Sequence, residues 1–289
     1  MSRLGLWFRL YVLCPLSFSS KARREKRGRF CADYLRKYLP GSGFVPSSGT
    51  ICEDGDEKVY SIWLQGLDQA PALVKSCWRS IRRHIPAELV ILDEKAALEL
   101  PLPDHIIRKY KAGKIRPAHF ADICRVELLY RYGGYWMDAT CFVTSDVHQY
   151  VKDADFFMYL TLDHPAIGYS FVQNCFIRAR KGAYLLEAWR YMIHEYWKHE
   201  NHPVNYFVHQ LLFRSLVEND RRAAEEFESM PQVLQIETHR LWWDWADKPY
   251  NEDIFKTITS GSFFQKTAFK SKSAQNPVSG SFADVMMKM

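Results

Sequence analysis

The chain has 289 residues, 47% of them hydrophobic, 25% charged and 15% aromatic, which fits one globular domain of good size or two small ones and excludes a disordered or fibrous chain. Its net charge of +6 is unevenly placed: residues 1–29 hold Arg3, Arg9, Lys21, Arg23, Arg24, Lys26, Arg27 and Arg29 against Glu25 alone, a surplus of +7 that leaves −1 for residues 30–289. The near-neutral body gives no reason to expect a nucleic-acid-binding surface.

Residues 3–18 suit an apolar or amphipathic helix, and the basic stretch 21–29 follows it. One reading is an interfacial anchor, with apolar side chains in the headgroup region and cations facing anionic lipid. The other is a helix packed on the body, followed by a solvated linker. The apolar run at 10–18 is broken by Pro15 and is too short to span a bilayer. No small-residue cleavage site follows it. Residues 40–57, rich in Gly, Pro and Ser, read as a loop, so the expected organisation is an N-terminal segment (1–30), a linker (31–57) and a main domain (58–289) with a helical subregion at about 181–230. The seven cysteines lack any C-x-x-C spacing, which suggests neither a disulfide framework nor a zinc site and favours a reducing, cytoplasmic compartment.

From residue 58 the pattern alternates. Strands are predicted at 58–63 and 88–92 with a helix at 71–84 between them, an order that indicates a parallel sheet covered by helices. Helices follow at 104–111 and 117–132, the second opened by Pro117 and closed by the Gly133, Gly134 pair. Further strands are predicted at 135–138, 156–160 and 171–177, then aromatic-rich helices at 184–199 and 206–219.

The most informative stretch is 118–143. On a helix, Asp122 and Arg125 share one face beside an apolar stripe of Cys124, Leu128 and Leu129. The double glycine permits a tight reversal into a short apolar strand, which delivers Asp138 at its carboxyl end, followed by Ala139 and Thr140. In open α/β sheets that edge is where ligands sit. There is no G-x-G-x-x-G, Walker A lysine or G-x-S-x-G, so dinucleotide oxidoreductase, P-loop ATPase and serine hydrolase readings have no support.

This run of D-x-x-R, helix, G-G, apolar strand and D-A-T resembles glycosyltransferase family 32 and its capsular-polysaccharide-synthesis relatives. Upstream, Ile62-Trp63-Leu64-Gln65-Gly66 resembles the first strand of their nucleotide-sugar domain. Downstream, Asn174-Cys175-Phe176-Ile177, the Trp-rich stretch 188–197 and Gln265-Lys266-Thr267-Ala268-Phe269-Lys270 are similar to the capsular relatives, so the resemblance covers residues 58–270. It implies a GT-A fold with a mostly parallel central sheet and a helical C-terminal half. It also implies transfer of a sugar, with retention of configuration, from a nucleotide diphosphate sugar to a hydroxyl of a growing capsular or other surface polysaccharide, with a lipid-linked acceptor at the inner face of the plasma membrane.

By the same resemblance Asp138 anchors the nucleotide and a divalent cation, Mn²⁺ or Mg²⁺, with Thr140 and Gln265 as weak further ligands. Asp122, Arg125 and Asn174 meet the donor sugar, Trp63 stacks on the base, and Lys266 and Lys270 neutralise the diphosphate. The chain departs from the pattern in three places: Thr140 replaces a carboxylate, Gln265 stands where a histidine is expected, and Asn205 stands where relatives tend to carry Asp. A non-catalytic sugar- or nucleotide-binding member of the same fold is the alternative. The Trp242, Trp243, Trp245 cluster reads either as a sugar platform or as core packing.

Overall fold

The computed structural model describes residues 1–15, 20–46, 57–161 and 172–289. The N-terminal region contains α1 (Arg3–Phe8), one π-helical turn (Arg9–Leu13) and α2 (Ser20–Leu35). The body then runs β1 (Lys58–Ile62), α3 (Ala72–His84), β2 (Glu88–Leu92), α4 (Glu94–Leu98), α5 (Asp104–Lys111), α6 (Pro117–Tyr132), β3 (Gly134–Met137), β4 (Cys141–Val143), α7 (Gln149–Lys152), β5 (Phe156–Leu160) and β6 (Val172–Ala179). The C-terminal half is mainly helical: α8 (Tyr184–His199), α9 (Val208–Asn219), α10 (Arg221–Ser229), α11 (Ile236–Trp245), α12 (Glu252–Thr259), β7 (Phe264–Lys266), α13 (Lys272–Gln275) and α14 (Phe282–Lys288).

Five strands form the central sheet in the order β2-β1-β3-β6-β5. The β1 strand pairs in parallel with both β2 and β3, whereas β6 runs antiparallel between β3 and β5. Four strands therefore point one way and one the other, a mostly parallel mixed sheet. A small second sheet pairs β4 with β7 antiparallel, which returns the C-terminal region to the end of β3.

The crossover into β3 depends on glycine. Pro117 opens α6, and Gly133 closes it at φ +68°. Gly134 sits at φ +93°, where a Cβ would lie 2.5 Å from the Lys58 carbonyl of the neighbouring strand. Only a residue without a side chain allows β3 to pair this closely with β1.

Burial around α6 differs from a simple apolar stripe. His119, Phe120, Arg125 and Glu127 are buried along with Ile123, Cys124 and Leu128, because the helix lies between the sheet and α8. Glu127 is neutralised inside by Arg131 Nε and Arg190 Nε, each 2.6 Å away. Charged side chains at such depth persist only when paired.

The N-terminal segment packs on the body. Leu6, Leu10, Cys14, Cys31, Tyr34 and Leu35 join the main core, and buried Glu200, just past α8, binds Arg3 Nη1 at 2.8 Å and accepts from Tyr34 and Tyr38. Where the sequence predicts a linker from residue 31, α2 continues to Leu35 and a 3₁₀ turn carries the packed chain to Tyr38. Residues 40–46 are irregular, and the rest of the predicted loop, to 56, lies outside the described residues.

Candidate active site

A cleft of about 410 Å³ opens at the carboxyl edge of the sheet. Its walls come from the ends of β1 (Ile62, Trp63) and β3 (Asp138, Ala139, Thr140), the start of β6 (Val172–Cys175), the α6 face bearing Asp122 and Arg125, and Lys266 of β7. Because β6 is antiparallel, its first residues lie at the same edge as the last residues of its neighbours, which brings Asn174 beside Asp138.

Two acids and two cations meet here. Arg125 Nη2 lies 2.9 Å from Asp122 Oδ1 and 3.3 Å from Asp138 Oδ1, so one guanidinium joins the helix carboxylate to the strand carboxylate. Its other terminal nitrogen donates to the Asn174 carbonyl, and its plane lies 4.8 Å from the centre of the Trp136 ring. Lys266 Nζ sits 3.3 Å from Asp138 Oδ2 and donates to the Thr140 hydroxyl. Trp136 Nε1 donates to Asp138 Oδ1 at 3.0 Å, and Asn174 Nδ2 donates to Asp122 Oδ1 at 2.9 Å.

The electrostatics divide the two carboxylates. Burial pushes both upward, but at Asp138 the Arg125 guanidinium and the Lys266 ammonium outweigh it, holding that carboxyl below its usual range. At Asp122 burial wins over Arg125, and its affinity for a proton is raised. Burial alone would depress Lys266, yet Asp138 raises it, so the ammonium is firmly charged.

Beneath Asp122 lies an aromatic layer of His119, His209 and Trp197. His209 is held far below the usual imidazole range, first by burial and then by His119 and Arg125, and is neutral. Trp197 Nε1 donates to His209 Nε2 at 3.2 Å, which leaves the imidazole proton on Nδ1, 3.9 Å from Asp122 Oδ2.

The structure brings together Trp63, Asp122, Arg125, Asp138, Thr140, Asn174 and Lys266 on one cleft. Lys270 stands outside that lining, exposed, with its ammonium 5.4 Å from the ring centre of Phe269, a rim residue that meets Trp63 edge-on at 5.1 Å. Gln265 requires a correction. Side chains alternate along β7, so while Lys266 faces Asp138, Gln265 turns into the protein, where its Oε1 accepts from Leu241 N at 3.1 Å and its Nε2 donates to Glu237 O at 2.7 Å. It holds the start of α11 and has no amide atom left for an ion. Asn205 is likewise occupied locally, accepting from Phe207 N at 2.9 Å. Trp242 is core, and none of Trp242, Trp243 and Trp245 lines the cleft.

Asp138 and Thr140, expected as ligands of a divalent cation, both bind the Lys266 ammonium. Among the described residues no three His, Cys, Asp or Glu side chains gather as a ligand set. As arranged, these residues fit an internal ammonium and do not fit a divalent ion.

Sequence reasoning missed Gln235, Tyr206, Phe207, Phe269 and His239 on the cleft wall. Of these, Phe269 lay inside a quoted motif and Tyr206 and Phe207 directly follow Asn205; Gln235 and His239 come from the helical half, where nothing in their spacing relates them to Asp138.

A mostly parallel α/β sheet with carboxylates and cations at its carboxyl edge and a helical second half is consistent with the GT-A-like fold. The chain belongs to the family of capsular polysaccharide synthesis proteins, which it matches over residues 17–284. No curated protein matches it.

Proposed function

We propose that the chain is a glycosyltransferase that moves a sugar from a nucleoside diphosphate sugar to a hydroxyl of a growing capsular or related surface glycan. The observation that carries this reading is the Asp122–Arg125–Asp138–Lys266 cluster: two acids and two cations fixed against one another at the ligand-binding edge of the sheet. The departing diphosphate gathers negative charge, and preorganised cations in a partly dry cleft stabilise it more than water would. Lys266 and Arg125 supply that charge; Asp138 holds both in place. Asp122 and Asn174, already hydrogen-bonded to each other, offer acceptors and a carbonyl-supported amide to sugar hydroxyls. Trp63 and Phe269 form an aromatic corner at the β1 end, suited to a nucleobase.

The resemblance favours retention, and among the described residues of the cleft both carboxylates, Asp122 and Asp138, are paired with Arg125. In the proposed front-face step, the bond from the anomeric carbon to the diphosphate oxygen breaks while the acceptor oxygen bonds to the same face. The acceptor proton passes to the departing phosphate oxygen.

Support for a place of action comes from α1. Leu6, Leu10 and Cys14 pack inward, while Leu4, Trp7, Phe8, Tyr11 and Val12 lie exposed at helical spacing. Arg23, Arg24, Arg27 and Arg29 are exposed on α2 beside them. A packed helix with a second, outward apolar stripe and neighbouring cations suits the surface of an anionic bilayer, here the cytoplasmic face of the plasma membrane, where lipid-linked acceptors are extended. Among the described residues no helix is long and apolar enough to cross a membrane.

The test is incubation of the purified chain with UDP-glucose, UDP-galactose and GDP-mannose, with and without Mn²⁺. Slow release of the diphosphate from at least one is expected. No binding and no release with any of them would overturn the reading.

A further inference from the structure

Several carboxamides lie in or beside the cleft, and most make at least one side-chain hydrogen bond. Asn174 donates to Asp122; Gln265 holds α11; Gln173 accepts from Cys175 Sγ at 2.7 Å and donates to Thr238 Oγ1 at 3.3 Å. Gln235 differs. It is 2% exposed, it lines the cleft, and neither its Oε1 nor its Nε2 has a hydrogen-bond partner among the described residues. Its backbone is rigidly placed: Gln235 N donates to Leu160 O at 2.9 Å, extending the sheet beyond β5, and its own carbonyl accepts from Thr238 Oγ1 at 2.7 Å. A buried amide with both atoms unused costs stability and returns nothing to the fold. Such groups concentrate where a ligand completes them.

The strand order says which part of the ligand lies there. Along the carboxyl edge the sequence of walls is Trp63 on β1, Asp138 on β3, Asn174 on β6, and the Leu160–Gln235 junction past β5. Neighbouring strands stand about 4.8 Å apart, so Gln235, one step past β5, and Trp63 are separated by about four strand spacings, with the charged cluster between them. If the base occupies the Trp63 corner and the diphosphate meets Lys266, the Gln235 end receives the sugar. A carboxamide offers one acceptor and one donor on a single planar group, which matches two adjacent hydroxyls of a pyranose, one donating and one accepting.

We infer that Gln235 is a specificity-determining residue that reads a vicinal hydroxyl pair of the donor sugar. The inference rests on the transferase reading above and names the sugar-recognising end of that same cleft. The pair belongs to the donor because Gln235 lies in line with the base corner and the diphosphate cluster; an acceptor hydroxyl pair is the competing source.

Calorimetric titration of wild type, Q235L and Q235E with UDP, GDP, UDP-glucose, UDP-galactose and GDP-mannose tests it, with melting temperature recorded for each protein. Wild type is expected to bind at least one sugar nucleotide more tightly than its parent diphosphate. Q235L should bind the diphosphate within twofold of wild type, lose about tenfold of the sugar-dependent gain, and melt no lower than wild type, because an unpaired buried amide has been removed. Q235E, which keeps the shape and an acceptor but no donor, should lose an intermediate amount. A Q235L protein that keeps the full gain overturns the assignment and leaves the transferase reading intact, and the same variant with a raised KM for acceptor alone moves the hydroxyl pair to the acceptor. A lower melting temperature in Q235L, or diphosphate binding in wild type with no gain from any of the sugars, also overturns it. Wild type that binds none of the five ligands overturns the transferase reading, and this inference with it.

Discussion

Trp197 donates its indole N–H to His209 Nε2 across 3.2 Å, and that one bond decides which face of His209 looks at Asp122. The imidazole is neutral and buried, so its single proton is on Nδ1, 3.9 Å from the Asp122 carboxylate. A residue of α8 thereby sets the surroundings of a carboxylate on α6, through a histidine of α9.

Trp197→Phe keeps an aromatic ring and removes the donor, with part of the buried indole volume. The tautomer of His209 is then free to change, and Asp122 loses a fixed neighbour. Turnover of the donor should fall roughly three- to tenfold, about the value of one hydrogen bond, with affinity for the nucleoside diphosphate unchanged. Nitrogen-detected NMR of the imidazole would show both tautomers in the variant; a single unchanged tautomer counts against this account.

Asp138→Asn preserves shape and the bond from Trp136 but removes the charge that holds Arg125 and Lys266. Turnover should drop by roughly 100-fold or more, as it does when preorganised electrostatics are lost, with the circular dichroism spectrum retained. Near-normal rates in this variant would show that the cluster is not the reacting site.

Acid should destabilise the fold beginning above the carboxylate range. Burial and Arg190 lower His194 to about 3 from 6.5, and His209 lies well below 6.5. Between those values the unfolded chain binds protons that the fold refuses. The stability these two groups allow is therefore complete above pH 6.5 and is lost as pH falls, by up to about 1.4 kcal/mol per pH unit for each. Asp122, raised in the fold, acts in the opposite sense, but only in the carboxylate range. Thermal melts from pH 7 to 5 should show a falling midpoint, and His194→Gln should flatten the slope.

Gly134→Ala should cost about 3 kcal/mol or more in urea unfolding. The added methyl meets the Lys58 carbonyl at 2.5 Å, and the backbone is held at φ +93°. Gly113→Ala provides the control: it shares a positive φ of +70° but has no atom within 4 Å of its Cβ, so it should cost only about 1 kcal/mol.

Replacing Trp7 and Phe8 together by Ser removes two exposed aromatics from α1 and leaves buried Leu6 and Leu10 in place. Co-sedimentation with vesicles containing phosphatidylglycerol should fall by at least about tenfold, with diphosphate release from the donor in solution unaffected. Unchanged sedimentation would refute the membrane-facing role.

Much of this was legible in the chain alone. The order of the longer strands and helices from β1 to α9 follows from hydrophobic period and from Pro117 and the Gly133, Gly134 pair, because those signals are local; the short α4, β4 and α7 are not predicted. The same holds for Asp122, Arg125 and Asp138, whose spacing around a helix, a turn and a strand fixes their approach within 17 residues of chain. The surplus of charge in residues 1–29 is likewise a property of the sequence.

The tertiary structure decided what distant segments bring to one another. That Lys266 reaches Asp138 while Gln265, one residue earlier, turns inward depends on which face of β7 pairs with β4, and a strand two-residue period does not say which face that is. The packed and exposed sides of α1 depend on its contact with the core and the bond from Arg3 to Glu200, 197 residues along the chain. Gln235 enters the cleft only because the chain after α10 returns to the end of β5. Local signals choose elements; the alignment of their faces is set by long-range packing, which no short window of sequence contains.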